Sequence, residues 1–150
     1  MIISQKPYWD EAKDPSYDAF VCTTNNIIRL NGTLVMGAGI AKAFKEEFKY
    51  IDYTWGKIIQ TRKEGGTDDH HVVISGPVNY LHNHVYLIGL QTKRLWSDPS
   101  PMELVVESCE KLSNLADTLS LHKILMSKPG CGMGGLKWAD VKKEIGFLDE

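Results

Sequence analysis

Residues 23–48 read TTNNIIRLNGTLVMGAGIAKAFKEEF, and this passage from a strand into a helix decides the fold. An apolar, β-prone run, Ala19–Thr23, comes just before it, and the pattern predicts a helix from about Ile40 to Tyr50. Glycine beside a helix start is costly unless the backbone must approach something closely. Because the N–H groups at a helix start commonly bind an anion, Met36–Ile40 is a candidate anion-binding loop.

The composition is that of one ordinary globular domain. Of 150 residues, 43% are hydrophobic and 24% are charged, and the formal net charge is −2. No basic cluster stands out, so a polyanion would have to be held locally, by backbone amides and a few side chains. The sequence shows neither an apolar run of membrane-spanning length nor a signal-peptide pattern. Its three cysteines form no C-x-x-C pair, which favours a reduced, cytoplasmic setting.

Apolar runs and glycine or proline turns alternate along the rest of the chain. The pattern predicts a helix over Tyr53–Lys63, followed by a hairpin of strands His71–Ser75 and His84–Leu90 joined by GPVNYLHN. A further helix, whose first turn contains Pro99 and Pro101, comes next. A strand over His122–Ser127 and a closing helix over WADVKKEI complete the predicted elements. Residues 1–17 are predicted to be irregular, whereas Trp55 and the stripe from Val105 to Leu119 are predicted to face the core. Strands that alternate with helices predict one α/β layered domain with a largely parallel central sheet.

A second glycine segment, PGCGMGG at residues 129–135, also lies between a predicted strand and a predicted helix. In open α/β sheets, ligands bind outside the carboxyl ends of the strands. Two such loops at one edge are able to hold a diphosphate without net positive charge. The simpler alternative, in which the glycines only turn the chain, is less favoured for two loops in the same context than for one.

Known phosphate-binding motifs do not account for this second segment. Walker A requires Gly-Lys-Ser/Thr, which PGCGMGGLKW lacks. Residues 130–135 match G-x-G-x-x-G formally, but the chain ends at Glu150, before the second strand and acidic residue of a dinucleotide fold. Cys131 followed by Lys137 is a weak match to a phosphatase loop, because that chemistry uses arginine for bidentate phosphate contact. Cys131 is therefore interpreted as a small loop residue.

Four segments carry a resemblance to a known family: DAFVCTTNN, VMGAGIAKAFKEEF, QTKRLWSDPS and PGCGMGGLKWADV. In this order they resemble the motifs of the macrodomain, the ADP-ribose-binding module. The third resembles the Pro-Thr-Lys-x-x-Trp-x-x-x-Ser loop of antitoxin macrodomains that remove ADP-ribose from DNA, and of related phage and bacterial proteins. The match covers about residues 18–145, and the ordered set is far more specific than any one motif.

The resemblance implies a three-layer α/β/α macrodomain with a mixed, largely parallel central sheet, formed by residues 1–150 as a single domain. It implies ADP-ribose or an ADP-ribosylated macromolecule as the ligand, and nucleic acid only as a modified substrate. No cofactor, metal or membrane is implied, and the protein is expected to be a monomer.

The same resemblance implies roles for individual residues. Asn25 falls on the catalytic-site asparagine that holds the distal ribose, and Lys93 falls on the lysine that the hydrolase branch uses at the anomeric carbon. Trp96 belongs to the same loop, which it braces next to the ADP-ribose. The two loops that pass the diphosphate consist of Met36, Gly37, Ala38, Gly39 and Ile40 and of Gly130, Cys131, Gly132, Met133, Gly134 and Gly135.

The sequence also departs from the family pattern. Gly134 stands where the branch acting on glutamate-linked ADP-ribose has an acidic residue, which favours the DNA-directed branch. Lys137 replaces an aspartate that would cap the closing helix. Cys22 replaces the first asparagine of the strand motif, and Asp10 is the candidate for the acidic residue that contacts adenine. Family members continue past FLDE into another strand, so either the fold is trimmed there or the N-terminal segment covers the vacancy.

Histidines at positions 70, 71, 82 and 84 resemble a metal cluster only by their number. They lie at predicted strand and turn edges without carboxylate or cysteine partners, so they are interpreted as solvated turn residues.

The resulting hypothesis is a hydrolase that removes ADP-ribose from a modified target, DNA or protein. Lys93 acts either as a nucleophile or as an electrostatic stabiliser. Two alternatives remain open: a phosphatase on ADP-ribose 1″-phosphate, and a non-catalytic binder of ADP-ribose-derived nucleotides. Lys93 in its tryptophan-containing loop favours hydrolysis.

Overall fold

Helices cover both faces of a four-stranded sheet in the computed structural model, which describes residues 6–149. In chain order the elements are α1 (Tyr8–Glu11), β1 (Ala19–Thr24), α2 (Gly39–Glu47), α3 (Ile51–Glu64), β2 (Val72–Tyr80), β3 (Asn83–Gln91), α4 (Met102–Leu119), β4 (Ile124–Leu125), α5 (Trp138–Glu144) and a 3-10 helix, Gly146–Asp149. The strand order is β2-β3-β1-β4, and β1 runs parallel to β3 and β4 while β2 is antiparallel to β3. The predicted mixed, largely parallel sheet is confirmed.

Strand β1 is buried on both faces, which explains its continuous apolar sequence. Phe20 and Cys22 face one core, and Ala19 and Val21 face the other. The first core contains side chains of α2 and α3, among them Phe44, Trp55 and Ile59, and the second contains those of α4 and α5, among them Val105, Cys109 and Val141. The two cores on either side of the sheet give the predicted three layers.

The predicted helices are present, with shifted boundaries, and α4 begins only at Met102, so Pro99 and Pro101 precede it instead of lying in its first turn. Helix α2 ends at Glu47 instead of Tyr50, because Phe48 is extended and Tyr50 has a φ of 69°. Trp55 is fully buried, as its spacing predicted. The core-facing stripe of α4 stops short of Leu119, which is 39% exposed in the last turn. Among the described residues, no helix combines the length and hydropathy that a bilayer crossing requires.

Two strand predictions were wrong in extent. The strand predicted over His122–Ser127 shrinks to Ile124 and Leu125, because the carboxylate of Asp18 binds the N–H groups of the two preceding residues. In the hairpin, β2 continues to Tyr80, so most of the predicted connection GPVNYLHN belongs to the strand. The pairing of β2 with β3 shifts in register between Ser75 and Val78, which is where the Gly-Pro pair lies.

The segment before β1 is less irregular than predicted. Within residues 6–17 it forms α1, whose Tyr8 and Trp9 rings pack against those of Phe20 and Phe44. The first five residues of the predicted irregular segment lie outside the described part of the chain. Helix α1 thus extends the first core beyond α2 and α3.

Candidate functional site

Three loops lie at the carboxyl edge of the sheet, because the strands that lead into them are parallel. We call them the first glycine loop (residues 36–40), the lysine loop (residues 92–98) and the second glycine loop (residues 130–135). Thr24 at the end of β1 pairs with Gln91 at the end of β3, so the segments that follow leave the sheet side by side. The backbone N–H of Thr92 donates to the carbonyl of Thr24, 2.9 Å away.

Asn25 connects the end of β1 to the first glycine loop. Its Nδ2 donates to the carbonyl of Val35 at 3.0 Å, and its Oδ1 accepts from the N–H of Ile27 at 3.0 Å. A side-chain amide has two N–H donors and two acceptor lone pairs, so one of each remains for a ligand. Its assignment to the distal ribose stays a prediction, and the structure shows how the side chain would be oriented for it.

The first glycine loop presents its backbone to solvent. Met36 has its side chain fully buried in the first core, so only its main chain is able to meet a ligand. Residues 37–39 are exposed, and no described residue lies within 4 Å of a Cβ built on Gly37 or Gly39. Ala38 is the N-cap of α2 and makes no side-chain cap bond, which leaves the first N–H groups of that helix available to an anion. Ile40 packs partly against the first core.

The second glycine loop folds back on itself. The N–H of Leu136 donates to the carbonyl of Gly130 at 3.0 Å, and the N–H of Gly135 donates to that of Gly132 at 3.2 Å. Gly130 and Gly135 have φ angles of 76° and 79°, a region that glycine adopts without strain. Gly132 is exposed, so the outer side of this loop is open to a ligand.

Gly134 has no space for a side chain. A Cβ at this position would lie 2.3 Å from Oγ of Ser100 and 2.5 Å from the carbonyl oxygen of Gly130. The carbonyl of Gly134 also accepts from the N–H of Ser100 at 2.9 Å, which ties the loop to the start of α4. This crowding gives a physical reason for glycine where another branch of the family has an acidic residue.

Lys93 joins the lysine loop to the second glycine loop. Its Nζ donates to the carbonyls of Trp96 at 3.3 Å and Met133 at 3.2 Å. An ammonium has three N–H donors, so one remains, and in a neutral amine the lone pair remains instead. Either way, the two carbonyls orient the free corner of the nitrogen.

The indole of Trp96 is exposed, and its predicted role in bracing the loop stays a prediction. Trp96 is 62% exposed, and only its backbone carbonyl takes part in the bond from Lys93. Met133 is exposed as well, at 72%. The two residues whose carbonyls bind the amine therefore both have exposed apolar side chains.

Cys131 has the properties of a loop residue and not of a nucleophile. Burial raises the pKa of its thiol, which reduces the thiolate fraction at neutral pH. Its Sγ donates to the carbonyl of Pro129 at 3.5 Å.

His70 and His71 differ from the prediction of solvated turn residues without carboxylate partners: Nε2 of His71 lies 3.2 Å from Oε2 of Glu107, and His70 is enclosed. His70 is buried, at 5% exposure, with Nε2 3.1 Å from Oγ1 of Thr24 and Nδ1 3.2 Å from Oδ1 of Asn26. Burial, followed by the nearby charge of Arg62, lowers the pKa of His70 to about 3, so the ring is neutral. A solvated turn residue was predicted because nothing in the local pattern distinguishes the two cases. Among residues 6–149, no group of three or more His, Cys, Asp or Glu is arranged to hold a metal ion.

An ion pair that the sequence did not reveal, between Arg94 and Asp69, attaches the lysine loop to the segment before β2. Arg94 contacts Asp69 through two nitrogens, with Nη2 at 2.8 Å from Oδ2 and Nε at 3.2 Å from Oδ1. Gln91 donates through Nε2 to the same carboxylate at 2.9 Å and to the carbonyl of Lys93 at 3.2 Å. Burial acts to raise the pKa of Asp69, but the bonds from Arg94 and Gln91 outweigh it and lower the pKa.

Two other predicted positions lie outside these three loops. Asp10, the candidate for adenine, is in α1 with its carboxylate 3.7 Å from Nζ of Lys13. Its role stays a prediction. Lys137 is the N-cap of α5 and, as expected for a side chain without an acceptor, makes no cap bond.

Comparison with known proteins gives one clear relative in sequence. No family model matches the chain. A DNA ADP-ribosyl glycohydrolase of Thermus aquaticus is 31% identical over 120 residues, which make up 77% of this chain and 31% of the relative. The chain thus spans about a third of the length of that protein.

Solved structures identify the fold. The macrodomain of Thermus aquaticus DarG superposes with a TM-score of 0.68 at 29% identity, covering 89% of this chain and 82% of that one. The chain belongs to the macrodomain family. Thermosipho africanus DarTG in complex with ADP-ribose has a TM-score of 0.70 at 20% identity, over 87% of this macrodomain and 34% of that chain, a likeness in fold alone.

In this macrodomain, the hydrogen bonds connect all three loops at one edge. Asn25 reaches the residue before the first glycine loop, the N–H of Asn26 donates to the carbonyl of Arg94, and Lys93 reaches Met133. The edge therefore combines two loops with accessible N–H groups and one oriented amine. Such an edge is suited to a diphosphate with a sugar beside it.

Proposed function

We propose that this macrodomain is a hydrolase that releases ADP-ribose from modified DNA. In this proposal, the two glycine loops bind the diphosphate and Lys93 acts at the anomeric carbon of the distal ribose. The observation that carries it is the 3.2 Å bond from Nζ of Lys93 to the carbonyl of Met133, which attaches the amine to the second glycine loop. The relation to a protein named DNA ADP-ribosyl glycohydrolase supports it.

The chemistry requires little beyond positioning and charge. Cleavage of the bond between the anomeric carbon and the base passes through an oxocarbenium-like ribose, and water completes the reaction. Holding the diphosphate and ribose in one geometry converts binding energy into rate. As an ammonium, Lys93 would use its free N–H to stabilise negative charge on the departing group. As a neutral amine, it would attack the anomeric carbon with its free lone pair.

DNA is favoured over glutamate-linked targets because of Gly134. The branch of the family that acts on glutamate esters has an acidic side chain there, and this loop has no room for any side chain. Position 134 therefore cannot carry the acidic side chain that is typical of the branch acting on glutamate esters. The modest net charge of −2 does not oppose a DNA substrate that is held mainly through its ADP-ribose.

A panel of substrates tests the proposal. Wild type, Lys93→Ala and Lys111→Ala are incubated with an ADP-ribosylated oligonucleotide, an ADP-ribosylated protein and ADP-ribose 1″-phosphate, and product release is followed by chromatography. We expect release from the oligonucleotide, slowed roughly 100-fold or more by Lys93→Ala. Lys111→Ala, an exposed position on α4, is the matched control and should leave the rate unchanged.

The other results have distinct meanings. ADP-ribose binding in calorimetry without release from any substrate would indicate a binder, and phosphate release would indicate the phosphatase. Full turnover by Lys93→Ala would remove Lys93 from the mechanism. Trapping of a covalent adduct by borohydride would identify Lys93 as the nucleophile, because only an imine with the opened sugar is reducible.

A further inference from the structure

Two large, exposed apolar side chains belong to residues on different loops whose backbone carbonyls accept from the same amine. Trp96 is 62% exposed and Met133 is 72% exposed, and the carbonyls of both residues accept from Nζ of Lys93. Single exposed apolar residues are common on protein surfaces. Here, however, the shared bond holds the two backbones next to each other and next to the proposed reaction centre.

We propose that Trp96, with Met133 beside it, stacks on a nucleobase that neighbours the ADP-ribosylated nucleotide in single-stranded DNA. This inference rests on the proposed function. The ADP-ribose occupies the two glycine loops, so the DNA attached to its anomeric carbon has to leave the site past Lys93. The surface in that direction is the one that carries the two exposed side chains.

The charge around this surface fits a nucleic acid strand. The lysine loop (residues 92–98) and residues 128–140 together contain four cationic side chains and two carboxylates, those of Asp98 and Asp140, so their formal charge is positive although the chain as a whole has a net charge of −2. Arg94 is neutralised by Asp69, which leaves Lys93, Lys128 and Lys137 to attract phosphates. A few local cations together with an aromatic platform are the features by which proteins hold single strands.

The strand is expected to be single, because inside a duplex the stacked neighbours cover both faces of a base. Tryptophan offers a flat apolar face to any base, so the contact would be largely independent of sequence. The flexible thioether side chain of Met133 would fill the space along the edge of the same base. The site would then recognise the modification through the glycine loops and the DNA through Trp96.

Binding measurements test this separately from catalysis. Fluorescence anisotropy with a single-stranded oligonucleotide that carries a non-hydrolysable carbocyclic ADP-ribose, and calorimetry with free ADP-ribose, are carried out with Lys93 retained, so that its bonds to Trp96 and Met133 stay in place. Trp96→Ala should weaken oligonucleotide binding roughly 5- to 100-fold. The affinity for free ADP-ribose should change less than about twofold, because the contact is to the DNA.

Two further variants define the contact. Trp96→Phe keeps an aromatic face and should restore most of the affinity for the oligonucleotide. Tyr50→Ala removes another highly exposed aromatic ring, at the start of α3, and should leave both affinities unchanged. Because Trp96 and Tyr50 are exposed, none of these changes should alter the unfolding temperature.

Several results would overturn the inference. If Trp96→Ala lowered the affinity for free ADP-ribose and for the oligonucleotide equally, Trp96 would belong to the ADP-ribose site. If neither affinity changed, Trp96 would have no role in binding. If Trp96→Ala weakened the binding of an ADP-ribosylated peptide by the same factor as the binding of the oligonucleotide, recognition of a base would be excluded. Failure of the proposed function would instead appear as absence of release by wild type, with the binding comparison still readable.

Discussion

Gly134 and His70 are the single residues on which the candidate site depends most. Gly134 belongs to the loop that is predicted to bind the diphosphate, whereas His70 is not expected to touch the ligand. Gly134 lets the second glycine loop pack closely against the start of α4. His70 is buried against the end of β1, where its ring contacts the hydroxyl of Thr24. Both act through the backbone that carries the proposed binding groups, and each makes a prediction that does not depend on the reaction.

A side chain at position 134 should destabilise the fold. In Gly134→Ala the new methyl group overlaps the carbonyl of Gly130, so the loop has to move, and overpacking of this kind costs about 1–3 kcal/mol. Thermal unfolding should show a decrease of roughly 3–10 °C. Gly132→Ala, where no described atom lies within 4 Å of the new Cβ, is the control and should melt with wild type. Equal melting of both variants would contradict the crowding seen at Gly134.

His70 should make the protein less stable as the pH falls below neutral. Its folded pKa of about 3 lies below the ordinary value of 6.5, so the unfolded chain gains a proton that the folded protein does not accept. The free energy of unfolding should therefore decrease by roughly 1 kcal/mol between pH 7.5 and 5.5 through this residue. Urea unfolding at both pH values measures it, and the decrease should shrink in His70→Gln. An identical pH dependence in the variant would show that His70 is not the cause.

At the level of elements, the turn before β2 holds the lysine loop in place. The carboxylate of Asp69 binds Arg94 and Gln91, and the carbonyl of Lys93 accepts from Gln91. The end of β3 and the lysine loop are thus linked to a segment that belongs to neither. Pre-organisation of this kind determines how precisely a catalytic side chain is held.

Loss of that carboxylate should loosen the lysine loop. Asp69→Asn removes the charge that Arg94 contacts, and in hydrogen-exchange mass spectrometry the backbone of residues 93–97 should exchange faster than in wild type. The rest of the sheet should retain its protection. Asp68→Asn changes an exposed neighbour and is the matched control. If exchange at residues 93–97 is the same in all three proteins, the ion pair does not hold the loop.

Over the whole molecule, the site lies where the two cores meet at one edge of the sheet. The first glycine loop is anchored in the first core through Met36, and the second lies against α4 beside the second core. A ligand that contacts both loops therefore bridges the two halves of the fold. The net charge of −2 means that attraction to DNA comes from a few local lysines and not from the overall field.

This charge distribution predicts a weak dependence of DNA binding on salt. With two or three phosphate contacts, the logarithm of the affinity for an ADP-ribosylated single strand should fall against the logarithm of salt concentration with a slope of about −1 to −2. Anisotropy titrations between 50 and 300 mM salt would measure the slope. The unmodified oligonucleotide of the same sequence should bind far more weakly at every concentration. A slope near −5 would require an extended basic surface that this chain lacks.

The amino-acid sequence by itself determined the order of the elements and the two glycine loops. Buried strands, helix stripes and glycine turns are encoded in short windows, so Ala19–Thr23 and the stripe that begins at Val105 were read correctly. The family resemblance followed from ordered motifs. The ends of elements were less predictable, as the two-residue β4 shows, because pairing and the Asp18 carboxylate decide where that strand begins and ends.

Only the tertiary structure decided which side chains meet. Lys93 bonds to a carbonyl 40 residues away, His70 is buried against the end of β1, and Trp96 is left in solvent. No local pattern contains this information, because it depends on how distant segments pack around the sheet. A histidine at a strand edge looks the same in sequence whether it is exposed or enclosed, and its environment in the fold sets its charge.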